Sequence, residues 1–115
     1  MKNIIISNDP ELKADFRGIN RETIDTAYTC DGGIALLNNN DRYDELYLDY
    51  EFLQGDGREV LTWLSDNLDK VPELIVPISI SPKYTLLMYQ MIHALQVTAR
   101  KHRESQCQNS ESMEK

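Results

Sequence analysis

The sequence predicts an α/β fold built on a mostly parallel four-stranded sheet. Three observations carry this. Runs rich in β-branched residues alternate along the chain with stretches whose apolar residues recur every three or four positions. The first such run holds three adjacent isoleucines, Ile4 to Ile6, with no polar alternation, as expected of a strand covered on both faces. Three strand candidates run straight into polar or acidic residues: Asn8-Asp9, Asp49-Tyr50-Glu51, and Ser79 to Ser81. Such residues belong at the carboxyl ends of parallel strands, where open sheets meet water and ligand.

The elements follow in order. Lys2 to Ser7 is the first strand, stopped by Asn8-Asp9-Pro10. Glu11 to Ile19 is a short helix. Thr23 to Tyr28 is a second strand, placed at an edge, with Ile24, Thr26 and Tyr28 on one face. Asp31 is the expected N-cap of a helix over Ile34 to Asn38, which the asparagines at 38–40 end. Glu45 to Asp49 is the third strand. Asp56 is positioned to cap a helix from Gly57 to about Asp69, where Val60, Leu61, Leu64 and Leu68 keep helical spacing beside Trp63. Leu74 to Ile80 is the fourth strand, and Pro77 removes one ladder donor, which favours an edge or a bulge. Ser81-Pro82 pairs an N-cap with proline at the first helical position. The last helix runs from Pro82 to about Arg100, with Tyr84, Leu87, Met88, Met91, Ile92 and Leu95 as its apolar stripe. Residues 1–100 therefore form one domain, and 101–115 a polar tail with almost no apolar content.

Composition narrows the function classes. At 115 residues and 41% hydrophobic content the chain suffices for one domain with one core. Twelve basic against nineteen acidic residues give a net charge of −7. That disfavours sequence-independent nucleic-acid binding, which needs Lys and Arg on phosphates. It suits a protein partner with a basic surface, or a cation held by carboxylates. No apolar run approaches the roughly 18 residues of a membrane span, and the polar residues after Ile6 argue against a signal peptide. Cys30 and Cys107 do not make a disulfide framework, so the expected location is the reducing cytoplasm.

If the first, third and fourth strands are neighbours, Asn8, Asp9, Asp49, Glu51 and Ser79 converge on one rim. Carboxylates brought together repel unless a proton or a cation neutralises them. Asp9, Asp49 and Glu51 are accordingly the candidate metal ligands, joined by Asn8 where the family resemblance described below implies an acidic pair after the first strand, and Mg²⁺ is the candidate ion because it takes oxygen ligands. The opposite reading has these acids capping helices in solvent. Cys30 lies near a helix start without a general base beside it in sequence, and reads as a small buried hydrophobe. His93 and His102 read as packing or surface residues. Gly55 and Gly57 lack the context of a phosphate-cradling loop.

The segments "NDP", "LDYEFLQGDGREVLTWL" and "PISISP" together resemble the cyclic-phosphate processing receiver domain, a compact relative of response-regulator receivers frequent in phages and bacteria. The likeness spans Met1 to Leu95. Its most specific part is central. Where the family reads Leu-Asp-His-Asp-Leu, then a Gly-rich loop, then Gly-x-x-(Val/Leu)-x-x-Trp-Leu, this chain has Leu48-Asp49-Tyr50-Glu51-Phe52, then Gly55-Asp56-Gly57, then Val60, Trp63 and Leu64. The resemblance implies a receiver-like (flavodoxin-like) three-layer fold. It implies catalytic positions at Asp49, Tyr50, Glu51 and Ser79. Tyr50 and Ile78 stand where the family carries its two histidines. Paired imidazoles can serve as acid and base near neutral pH. A phenol, which ordinarily loses its proton near pH ~10, replaces one poorly, and isoleucine cannot replace the other.

The resemblance thus implies a receiver-like binding or regulatory protein that has lost catalysis. Two alternatives stand beside it. One is a metal-dependent phosphoesterase acting on cyclic phosphates or nucleotides. The other is an acidic decoy that occupies a basic protein surface. Receivers also accept a phosphoryl group, and the position matching that acceptor is Asp49; Lys83 is the nearest candidate for their lysine, and a fifth strand is missing.

Overall fold

The structure, a computed structural model, describes all residues except 1, 20–22, 80 and 115, and no side chain at 16 or 107–114. Four strands, β1 (Asn3–Ile6), β2 (Ile24–Ala27), β3 (Glu45–Leu48) and β4 (Leu74–Pro77), alternate with four helices. The helices are α1 (Pro10–Phe16), α2 (Cys30–Asn39), α3 (Arg58–Ser65) and α4 (Pro82–Glu114). The strands form one sheet in the order β2-β1-β3-β4, every pairing parallel. The first, third and fourth strands are therefore neighbours, and the second lies at an edge, as the sequence predicts. Pro77 ends the opposite edge strand, where its missing N–H interrupts no interior ladder.

Sheet alternation divides the core in two. Ile4, Ile6, Leu46, Leu48 and Ile75 face α2, α3 and α4. Ile5 and Ile24 face the other way and pack with Ala14 of α1 and with Ile78. All three β1 isoleucines are fully buried. Each such side chain stabilises the fold by about 1.5–3 kcal/mol.

Several boundaries differ from the sequence expectation, each for a local reason. Thr29, not Asp31, is the N-cap of α2: its Oγ1 accepts from Gly32 N at 3.0 Å. The helix then starts at Cys30 and includes both glycines. α3 stops at Ser65, with Asn67 Nδ2 donating to the Trp63 carbonyl at 2.8 Å, and Leu68 belongs to a separate 3₁₀ turn, Leu68–Lys70. The expected end of the fourth strand at Ile80 lies outside the described residues. α4 passes through the expected boundary at residue 100 as one helix. Its basic residues there are held to the body: His102 Nε2 lies 3.2 Å from Asp69 Oδ1, and Arg103 Nη1 donates to the Val71 carbonyl at 3.4 Å. At 1.5 Å per residue this helix is about 50 Å long, which sets the 52 Å long axis of the molecule.

Gly33 shows why α2 carries a glycine inside it. A Cβ there would stand 2.8 and 2.9 Å from Cγ1 and Cγ2 of Ile6 and would also meet its Cδ1. Ile6 is fully buried and β-branched, so its side chain has little freedom to move aside. Helix propensity alone would reward Gly33→Ala by ~1 kcal/mol. Overpacking costs about 1–3 kcal/mol. We expect Gly33→Ala to lower the free energy of unfolding in urea by up to about 2 kcal/mol; a gain in stability would show that α2 does not press on β1 here.

Candidate functional site

The parallel ladder continues one rung beyond the strands. Ser7 N donates to Ala27 O, Asp49 N to Ile6 O, and Ile78 N to Leu48 O, at 2.9–3.0 Å. Ser7, Asp49 and Ile78 thus form one row across β1, β3 and β4. Alternation turns this row toward α1, the same side as Ile5 and Tyr47.

Asp49 is 5% exposed, and it and Ser7 are the buried polar residues among those described. Its carboxylate is held from three directions. Oδ1 accepts from Tyr50 N at 2.9 Å, and Oδ2 accepts from Ser7 Oγ at 3.0 Å. Lys13 Nζ stands 3.8 Å from Oδ2, too far for a hydrogen bond but close enough for strong attraction in a dry setting. Lys13 also donates to the Ile78 carbonyl at 3.3 Å, so one side chain of α1 ties together the ends of β3 and β4. Arg17, one turn on, donates to the Pro77 carbonyl at 3.4 Å.

The other expected site residues stand around this centre in different roles. Asn8 and Asp9 are exposed on the turn after β1. Asp9 is the N-cap of α1, its Oδ1 accepting from Leu12 N at 3.3 Å, and its own N–H donates to Ser7 Oγ at 3.1 Å. Glu51 is exposed and forms an isolated antiparallel bridge with Asp56. Tyr50 turns to the opposite face, where its ring stacks on Tyr84 of α4 at 4.2 Å between centroids and 14° between planes. Arg58 lies over the same ring at 5.8 Å and pairs with Asp56 at 2.9 Å. Ser79 turns the chain into α4: its Oγ accepts from Ser81 N at 3.2 Å, and its carbonyl accepts from Thr85 Oγ1 at 3.1 Å. The hydroxyl that reaches Asp49 is that of Ser7.

Among the described residues, no three His, Cys, Asp or Glu side chains stand together as a metal-holding group. Asp49 has the Lys13 ammonium beside it, while Asp9 caps α1 and Glu51 bridges to Asp56. α3 closes the rim from the other side. Gly57 N donates to the Tyr50 carbonyl at 2.8 Å, and a Cβ on Gly57 would collide with the Asp49 carbonyl.

Neither a protein-family model nor a curated protein sequence matches the chain. Solved structures do. The MaeR response regulator bound to beryllium trifluoride superposes with a TM-score of 0.57 at 21% identity, over 80% of this chain and 78% of that one. The receiver domain of the Francisella response regulator 1452 superposes with a TM-score of 0.56 at 18% identity, over 86% of this chain and 93% of that one. The fold is receiver-like. Within this receiver-like domain no described helix is long and apolar enough to cross a membrane.

Sequence reasoning passed over Ser7 and Lys13. Lys13 had a usable signal. With Asp9 as N-cap, positions 10, 13 and 14 share the sheet-facing side of α1, so a lysine there points at the strand ends.

Cys30 is buried, and its Sγ contacts the Asp56 carbonyl at 3.3 Å. Burial first, then the charges of Glu59 and Asp56, push its thiol up to about 12. The folded protein therefore holds this proton more tightly than the unfolded chain, whose thiol titrates near ~8.5. That stabilisation is complete below pH ~8.5 and is lost as pH rises toward 12. In a Cys107→Ser background we expect Cys30 to resist iodoacetamide at pH 8 until urea unfolds the protein. Rapid alkylation of the folded chain would contradict its burial.

Proposed function

We propose that this receiver-like domain is a binding or regulatory protein whose strand-end site serves as structure and no longer turns over phosphates. One observation carries the reading: Asp49 is neutralised in place by Lys13, Ser7 and Tyr50 N. The positions where the resembled cyclic-phosphate processing family has its histidines support it. Tyr50 is 8% exposed and stacked on Tyr84, and Ile78 is 3% exposed in the α1-side core. Neither side chain can exchange protons with a phosphate from there. The chain's two histidines lie on α4, with His102 engaged by Asp69, which leaves no imidazole pair on the Asp49 row.

A second reading keeps Asp49 as a phosphoryl acceptor. An ammonium and a hydroxyl beside the Asp49 carboxylate favour it, because both would stand near the oxygens of a phosphoryl group carried on Asp49 and stabilise their negative charge. The metal-dependent phosphoesterase requires instead that Asp9 and Glu51 swing toward Asp49.

The test is incubation of the protein with 2′,3′- and 3′,5′-cyclic nucleotides in Mg²⁺ or Mn²⁺, with calorimetry of each metal alone. We expect no turnover above buffer and no metal binding at millimolar ion. Hydrolysis that disappears in Asp49→Ala would overturn the reading in favour of the phosphoesterase. A phosphoryl adduct on Asp49, seen by intact mass after treatment with acetyl phosphate, would favour the second reading.

A further inference from the structure

The turn from β2 to α2 and the loop from β3 to α3 enclose a cleft of about 460 Å³. That volume lies in the range of small binding sites. It is lined by the side chains of Tyr28, Phe52 and Leu53 and by polar groups, among them the carboxylates of Asp31 and Glu59 and the Cys30 thiol. It lies apart from the Lys13–Asp49 pair, because none of its lining residues belongs to that row.

Leu53 is 98% exposed and Tyr28 55% exposed. Single exposed leucines need no explanation. This one sits at the tip of a loop that is fastened at both ends. Glu51 and Asp56 bridge across its base, and Gly57 N donates to the Tyr50 carbonyl at 2.8 Å. Inside the loop Gly55 adopts φ +78°, and a Cβ there would run into the Glu59 carboxylate. The loop is thus closed down against α3, and its shape holds Leu53 outward at the cleft.

We propose that this cleft docks an arginine, flanked by an apolar residue, from a segment of a protein partner. The proposal rests on the binding-protein reading above and adds the partner's chemistry. Charge complementarity selects the occupant. Two carboxylates in its lining attract a cation and repel phosphate or nucleic acid. A planar guanidinium can pair with a carboxylate while stacking on Tyr28 or Phe52, which a compact ammonium does less well. Leu53 then meets the neighbouring apolar side chain. The negative field is felt locally: Glu59, Asp56 and Asp31 all act in the same direction on the Cys30 thiol.

The test is an amide-detected NMR titration of the full chain with acetyl-Arg-Leu-Arg-amide. Acetyl-Glu-Leu-Glu-amide serves as the control. Shifts should concentrate at residues 28–33 and 52–59 and weaken as salt is raised. Asp31→Asn with Glu59→Gln should weaken binding about fivefold or more, the scale of two exposed ion pairs. Leu53→Ser, a surface change whose folding the same spectra check, should weaken it about threefold through lost apolar contact. Shifts spread over the whole acidic surface, or equal affinity for the variants, would overturn the proposal. If the peptide does not bind while cyclic phosphates stay intact, the cleft assignment falls and the binding-protein reading stands on another face. Turnover of cyclic phosphates would remove that reading whatever the peptide does.

Discussion

The carboxylate of Asp49, held at the end of β3 by Ser7, Tyr50 N and Lys13, is the interaction around which the strand ends are arranged. A buried charge without partners costs several kcal/mol, so the chain must bring donors to it or keep it in water. Here the donors come from three separate segments. Ser7 arrives because β1 is the neighbour of β3, Tyr50 N is the next residue, and Lys13 arrives because α1 folds back over β1. The same ammonium reaches the Ile78 carbonyl, which makes the charge a fastening between α1 and two strands.

That arrangement bears on function. In an open parallel sheet the carboxyl ends of the strands are where a ligand would be met. In this protein they are largely filled by the chain itself: Tyr50 by stacking, Ile78 by apolar packing, Asp49 by an internal cation. What remains open lies to one side, between the β2–α2 turn and the pinned loop after β3. The sheet that builds the rim is stabilised by its core, whatever chemistry the rim carries.

Much of the fold was legible because its signals are periodic and local. Three unbroken isoleucines specify a doubly covered strand, and Pro77 and the β-branched TIDTA segment specify edges. The α4 stripe from Tyr84 to Leu95 was readable for the same reason, and its packing continues to Ala99. Caps were less legible, since Thr29 and Asp31 compete on composition and only the backbone decides between them. The glycines at 33 and 57 carry no local signal of their role, because their reason is a close approach by Ile6 and by the Asp49 backbone, two long-range contacts. The sequence places the rim acids at the strand ends, but the lysine beside Asp49 comes from α1, and no local pattern around Asp49 announces it.

The most direct measurement is a double-mutant cycle on Lys13→Met and Asp49→Asn, read as free energies of unfolding in urea. Methionine keeps most of the apolar stem and removes the ammonium, leaving Asp49 buried without its cation. Each single change is expected to destabilise by about 2–4 kcal/mol. The double variant is expected to recover about 1–3 kcal/mol of their sum, the range found for groups in direct contact. Simple additivity, with a coupling below ~0.5 kcal/mol, would show that Asp49 and Lys13 do not hold the rim together.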